Sequence, residues 1–505
     1  MLKHIGQPTI YILTLHRQQN AAGKQDSMTE HKQQAVNFIE SNREIFTKLS
    51  DEIWANPELS LKEYKSAALF VKVLEENGFK VEKNFDNIET AFTGSFGSGH
   101  PVIGILGEFD ALSGLSQECH ALSHKPLVPG GAGHGCGHNM LGTGALAAAF
   151  GIKHYLETSG HEGTVIFYGC PGEEGGAAKA FMARDGVWKD LDAALTWHPE
   201  DVNEVKTGTN NSTIQILYDF HGVSAHAAGD PEHGRSALDA VELMNTGVQY
   251  LREHMTSDCR VHYAITNAGG VSPNVVQDHA SVLYMVRAGK VKNCVELLKR
   301  VDKIAEGASL MTETSFDRTF IDGTADLVPN FTLEKVLYEN FSELGVPSYT
   351  DEEIEFAKKL SLTCPENPAP GFASKHDDKI REYTEKESCH GTTGINNFLI
   401  PLYHSTAFQA GSTDVGDVSW ETPTGQIHVA GFVNGAPGHS WQNVSSGGSS
   451  IGHKALIHAG KVLACAAVDL YEKPDILKEA REEFEKRTAS GYVCPIEKDA
   501  KPIAL

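Results

Sequence analysis

The sequence predicts an α/β fold, a mostly parallel sheet flanked by helices and interrupted by a smaller α+β domain. Two features point there. Short apolar runs at 101–106 (PVIGIL), 164–168 (TVIFY), 193–197 (AALTW) and 427–432 (IHVAGF) have the character of strands covered on both faces, as in parallel sheets. Between the third and the fourth, apolar residues instead alternate with polar ones, the pattern of strands with one open face.

Taken in order, the spacing of Ala35, Phe38, Ile39, Ile45, Phe46, Leu49 and Ile53 predicts helix over 32–54, and 67–77 repeats the pattern. The run at 101–106 leads into Gly107, Glu108, Phe109 and Asp110, and the Ala- and Gly-rich stretch 141–156 predicts a helix packed closely on the sheet. The strand at 164–168 exits through Gly169 to Glu174, and that at 193–197 runs into His198 and Pro199. Alternation follows at 213–220, where Ile214, Ile216, Tyr218 and Phe220 share a face. An amphipathic helix at 236–255, strands at 261–266 and 280–287, a helix at 291–310 and a strand near 312–318 complete the order βαββαβ, which predicts a ferredoxin-like inserted domain. The polar segment 350–392 reads as a helix and then a long loop, and 427–432 leaves through Gly435, Ala436, Pro437 and Gly438 into His439.

The expected organisation is a loose extension at 1–27, upstream of a start at Met28, then a first part of the catalytic domain at 28–207. An inserted lid and dimerisation domain at 208–325, a second catalytic part at 326–485 and a C-terminal tail at 486–505 follow. A chain of 505 residues exceeds one core and suggests two or three domains, with ample apolar material at 40% to bury them. Its net charge of -23 opposes non-specific binding to nucleic acid and to anionic membranes. No run approaches the roughly 20 apolar residues of a membrane-spanning helix. The apolar patch at 8–15 is interrupted by His16 and Arg17, so the extension is not read as a signal peptide. Nine widely spaced cysteines fit a reducing, cytoplasmic setting better than a disulfide scaffold.

In open α/β sheets, ligands bind beyond the carboxyl ends of the strands, and the candidate chemistry falls at such ends. GHGCGH at 133–138 sets Cys136 and His138 two residues apart among Gly133, Gly135 and Gly137, which can take positive φ and fold both side chains toward one ion. Glu174 and His198 offer a second pair, and His439 closes the set. Glu173 is then the natural general base for a metal-activated water. Thiolate, carboxylate and imidazole donors suit Mn or Zn. Asp110 and Glu108 are candidates for orienting a ligating imidazole through its other nitrogen. The same Cys136–His138 pair leaves open a thiol hydrolase, with Cys136 as nucleophile.

Eight segments, GEFDAL (107–112), GHGCGHNMLG (133–142), GCPGEEGG (169–176), TWHPE (196–200), AHAA (225–228), SPNVV (272–276), GSTDVGDVSW (411–420) and PGHSW (437–441), together resemble the two-metal amidohydrolases of the aminoacylase and glutamate-carboxypeptidase superfamily. The resemblance spans about 30–495. It implies two divalent metal ions per subunit on Cys136, His138, Glu174, His198 and His439, with Glu173 as general base. It adds His226 as the histidine presented by the inserted domain, usually of the partner subunit, to stabilise the oxyanion, and Asn274 and Arg287 as grips for the substrate's α-carboxylate. Relatives that cleave indoleacetyl-amino acids carry Asp where this chain has Asn139, so ligand roles transfer more safely than substrate choice.

The function expected is a metal-dependent amidohydrolase that removes an acidic amino acid, glutamate, from an aromatic acyl group such as p-aminobenzoyl. A dipeptidase or aminoacylase acting on β-alanyl or other N-acyl amino acids is the alternative within the fold. A subunit whose main task is assembly with a homologous sister chain is the alternative outside it. Either way the expected partners are a small N-acyl amino acid and a second subunit, identical or homologous, with no nucleic acid and no membrane.

Overall fold

The computed structural model describes residues 28–504; the extension expected at 1–27 lies outside the described residues. Two helices, α1 (Glu30–Ser41) and α2 (Arg43–Ala55), replace the single one expected over 32–54. The break falls at Asn42, whose side-chain amide donates to the carbonyl of Phe38 and caps the first helix. Next come α3 (Tyr64–Glu76), β1 (Lys80–Lys83), β2 (Phe92–Ser98), β3 (Val102–Glu108), α4 (His138–Ser159), β4 (Gly163–Cys170), α5 (Ala178–Asp185), β5 (Ala193–Glu200) and β6 (Glu204–Val205). The inserted part holds β7 (Ser212–His221), α6 (Ala237–Leu251), β8 (Arg260–Asn267), β9 (His279–Ala288), α7 (Val291–Thr312) and β10 (Ser315–Thr324). The chain then returns through α8 (Phe331–Leu344), α9 (Asp351–Ser361), α10 (Asp378–Glu387), α11 (Val415–Glu421), β11 (Thr424–Ala430), α12 (Trp441–Gly447), α13 (Ser450–Glu472) and α14 (Pro474–Arg487).

The large sheet has the order β1-β2-β4-β3-β5-β11-β6. Its four inner strands, β4, β3, β5 and β11, are parallel, and they are the four apolar runs of the sequence. The outer strands β1, β2 and β6 are antiparallel additions. The chain leaves β3 for one neighbour, β4, and then crosses to the other, β5, so a crevice opens at the carboxyl ends of these strands.

Helix α4 lies on this sheet at a distance only glycine allows. A Cβ on Gly144 would sit 2.7 Å from the ring of Trp197, whose indole N–H donates to the carbonyl of Leu141. On the outer side, a Cβ on Gly460 of α13 would meet the Cβ of Ala147 at 2.8 Å. The small residues of α4 are thus what stacking two helices over the strands requires, and they hold the start of α4, at His138, against the strand ends. A second anchor is aromatic. Phe70 of α3, Phe92 of β2, Phe167 of β4 and Phe109 just beyond β3 interlock with ring centroids 5.5–6.0 Å apart.

The inserted part is a four-stranded antiparallel sheet of order β10-β7-β9-β8 carrying α6 and α7. Val241, Met244 and Val248 of α6 and Leu298 and Val301 of α7 share one core with Ile216, Tyr218 and Tyr284 of the strands. Strand β8 forms the open edge and is exposed along most of its length.

Two expectations need correction. The polar segment 350–392 holds a second helix, α10, begun by Asp377, whose carboxylate accepts from the backbone N–H groups of Lys379 and Ile380. The expected tail beyond 485 is laid against both parts of the molecule: Ile496 is buried, Tyr492 donates to Asp417 at 2.6 Å, and Glu497 pairs with Arg318 of β10 at 2.7 Å. The aromatic anchor can be tested directly. Phe70→Ala should lower stability by about 3–5 kcal/mol, read as a lower thermal midpoint, and Phe70→Leu should cost less.

Candidate metal centre

The loop 133–138 reaches the strand ends by close approach more than by unusual dihedrals. Of its three glycines only Gly137, the N-cap of α4, has positive φ, at 79°. Gly133 and Gly135 are needed for space, since a Cβ would lie 2.1 Å from the carbonyl oxygen of Leu115 in one case and 2.4 Å from the Leu115 side chain in the other. Asn443 of α12 then ties this loop to the one bearing His439, its amide donating to Gly135 O at 3.0 Å and to Pro437 O at 3.2 Å. His439 itself has φ of 54°, in the left-handed region.

Three groups of ligating atoms result, each with all its atoms within 4.8 Å of one another: Cys136, His138 and His198; Cys136, Glu174 and His439; and Glu108, His138 and Glu173. Cys136 belongs to the first two. Its Sγ lies 3.3 Å from His198 Nε2, while Glu174 Oε1 lies 3.3 Å from His439 Nε2. The five residues expected as metal ligands therefore meet around one sulfur.

Hydrogen bonds hold the far nitrogens of His138 and His198 and turn their Nε2 atoms inward. Asp110 accepts from His138 Nδ1 at 2.8 Å and is itself fixed by the hydroxyl of Ser60 and the backbone N–H of Glu174. His198 Nδ1 lies 2.8 Å from the carbonyl of Pro199, a contact that requires the proton on that nitrogen. Burial holds His198 down to about 4, so it is a neutral donor through Nε2. His138 Nε2 and Glu174 Oε1 are buried without a hydrogen-bond partner. Two such orphaned lone-pair atoms beside a shared thiol fit divalent cations and the N, O and S ligand set of Zn or Mn. Burial, reinforced by Glu174, raises the Cys136 thiol, so an ionised sulfur there requires positive charge beside it.

Glu173 sits beside this cluster, with Oε2 4.0 Å from His138 Nε2. Burial and then Glu108 and Glu174 raise its carboxyl well above the usual range. Glu108 departs from expectation. It does not hold the far side of an imidazole as Asp110 does; one oxygen is 3.3 Å from the free Nε2 of His138 and the other 2.9 Å from Lys179 Nζ. Lys179, fully buried, also meets Asp414 at 2.6 Å. Sequence reasoning passed over Lys179, Asp414 and Asn443. A lone lysine in the apolar run AAKAFM was a usable signal, because such an ammonium needs buried acids.

The cavity over the cluster has a volume of about 430 Å³ and is walled on its far side by the inserted part through Thr213, Met285 and Arg287. Arg287 lines the cavity, with Nη1 3.5 Å from Ser412 Oγ. His226 and Asn274 do not line it. Both are exposed on the inserted part, where Ala227 N–H donates to Asn274 O and the N–H groups of Ala228 and Gly229 donate to His226 Nδ1 at 3.2 and 3.0 Å. The ring proton of His226 is thereby placed on Nε2, facing outward as a donor.

Residues 104–394 match the family described as peptidase family M20/M25/M40. The chain is 44% identical over 472 residues to one of the subunits of p-aminobenzoyl-glutamate hydrolase from Escherichia coli (strain K12), covering 92% of this chain and 98% of that protein. Among solved structures, an aminobenzoyl-glutamate utilization protein from Klebsiella pneumoniae superposes with a TM-score of 0.57 at 15% identity, covering 86% of this chain and 98% of that one. A dinuclear metal binding peptidase of the M20 family from Bacillus subtilis superposes with a TM-score of 0.51 at 17% identity, over 86% and 99%. By the extent of the family match and the identity over nearly the whole chain, the protein belongs to peptidase family M20/M25/M40.

Proposed function

We propose that this metal-dependent amidohydrolase cleaves the amide bond of an N-acyl amino acid, and that its substrate is p-aminobenzoyl-glutamate, released as p-aminobenzoate and glutamate. What supports the chemistry above all is that Cys136 belongs to two of the three ligand groups, while the carboxylate of Glu173, in neither of those two, lies beside them in the third. The substrate is supported by the relative from Escherichia coli, and by a cavity that presents the guanidinium of Arg287 to an anion. Every proposed ligand is present in this chain, which favours a working site over a purely structural subunit. A cytoplasmic role in folate catabolism agrees with this substrate.

Cys136, His138, Glu174, His198 and His439 would hold two divalent ions, Mn or Zn. When bound, such ions supply Lewis acidity to the amide carbonyl and lower the pKa of water from 15.7 toward about 7. The chain's own residues do the rest. Glu173 takes the proton as water adds to the carbonyl carbon, then delivers it to the amine nitrogen as the C–N bond breaks. Asp110 holds the His138 ring in place. Arg287 and Asn274 grip the α-carboxylate, and His226 donates its Nε2 proton to the oxygen that gains charge.

The domain limits proposed are 28–207, 208–325 and 326–485, with the second as lid and dimerisation domain. His226 and Asn274 lie outside their own cavity, and β8 leaves an open sheet edge flanked by exposed Tyr263, Ile265 and Val271. Both facts favour a pairing, with an identical or a homologous subunit, in which each chain completes the other's site.

Three outcomes are expected. Glu173→Gln should lower kcat about 10²- to 10⁴-fold while metal content by elemental analysis stays at the wild-type level. Cys136→Ala should lose both ions, and chelation should abolish wild-type activity until Mn or Zn is restored; retained activity after complete chelation would instead support the thiol mechanism. His226→Ala and Glu173→Gln chains, each nearly inactive, should regain part of the activity when mixed and refolded together, since one site of the hybrid pair is intact.

A further inference from the structure

The cavity contains a second cation besides Arg287. Lys206 follows β6 directly, and its backbone N–H donates to Gln426 O at 3.0 Å, extending the antiparallel pairing with β11 and fixing the residue at the cavity wall. Its side-chain nitrogen makes a hydrogen bond to Gln409 Oε1, and among the described residues no carboxylate oxygen lies within 4.0 Å of it. Acids are close, but Glu204, Glu334 and Asp322 are engaged elsewhere and the Glu200 side chain is exposed. Glu204 pairs with His428 at 3.1 Å and accepts from Phe372 N–H; Glu334 pairs with His404 at 2.6 Å; Glu200 lies 3.7 Å from His198. Asp322, on the same wall, is taken by Gln215 and by the backbone of Gly176. Burial holds the Lys206 ammonium below its ordinary value against those neighbours, the signature of a cation without full compensation.

Arg287 is in the same condition. Burial lowers it, and among the described residues its side chain's one hydrogen bond is the long contact to Ser412 Oγ and no carboxylate oxygen lies within 4.0 Å. Both cations are therefore covered by neutral oxygens from one loop, Gln409 for Lys206 and Ser412 for Arg287. Uncharged caps of that kind are weaker than the charge-assisted bonds an arriving carboxylate makes.

We infer that Lys206 is a specificity-determining residue that binds the side-chain carboxylate of an acidic amino acid, while Arg287 binds its α-carboxylate, so the cavity selects dicarboxylic leaving groups. This rests on the amidohydrolase reading above and deepens it. A neutral side chain leaves the ammonium without its anion, and a basic one brings like charges together.

The test uses the metal-loaded full chain with p-aminobenzoyl-L-glutamate and p-aminobenzoyl-L-glutamine, which differ in that one charge, alongside calorimetric binding of glutarate and butyrate. Wild type should prefer the glutamyl substrate about 100-fold in kcat/KM and bind glutarate more tightly than butyrate. K206Q should raise KM for the glutamyl substrate about 10- to 100-fold with a much smaller change in kcat, bring the two substrates close to parity, and erase the preference for glutarate. K206R should restore part of both. Should K206Q not fold, K206M and the wild-type comparison of glutarate with butyrate decide the matter. An unchanged substrate ratio in K206Q, or equal binding of the two acids by wild type, overturns the assignment and leaves the proposed function standing. If wild type cleaves neither substrate but binds glutarate in a Lys206-dependent way, the acyl group has been misassigned and the subsite holds.

Discussion

The structure depends on how much negative charge can be gathered, away from water, at one rim of a sheet. Glu108, Asp110, Cys136, Glu173, Glu174 and Asp414 converge there, and among the described residues the buried ammonium that answers them is Lys179. An arrangement like this is unfavourable in a low-dielectric interior unless further positive charge enters. The surrounding fold is organised to hold it regardless. The parallel strands deliver the acids, the glycines of α4 let the helix carrying His138 come down onto the strand ends, and Asn443 binds two ligand-bearing loops with one side chain.

Much of this was legible from the residues. The inner strands announced themselves as apolar runs because both their faces are covered, and the inserted part showed its period-2 pattern because one face is not. The outer strands gave no such signal: β1 reads KVEK and is largely exposed, and β6 is two residues long. β1 owes its identity to the next strand along, β2, and β6 to β11, far along the chain. Helix α10 was hidden by its polarity, although Asp377 at its start was a readable cap.

The candidate site was legible in its proposed ligands and less so in its supports. Cys136, His138, Glu174, His198 and His439 lie at strand ends, where position restricts the choice. Asp110 and Glu108 share a strand exit and the same chemistry, and only the geometry separates them: Asp110 faces Nδ1 of His138, Glu108 faces Nε2 and Lys179. That difference depends on Lys179 of α5, a lone lysine among apolar residues that signals a buried acid without saying which one. His226 and Asn274 are legible as residues of interest, yet in this chain they are exposed and do not line the cavity.

The segment after α14 has a mechanical meaning. Glu497 accepts Arg318 of the inserted sheet on its carboxylate, while its own backbone carbonyl, with that of Ala500, accepts Arg184 of the main body. One short stretch of chain is thus fastened on both sides of the junction between the two parts, like a check-rein. Separating the two parts would break that guanidinium–carboxylate contact, which ties the inserted sheet to the main body some distance from the cavity it walls.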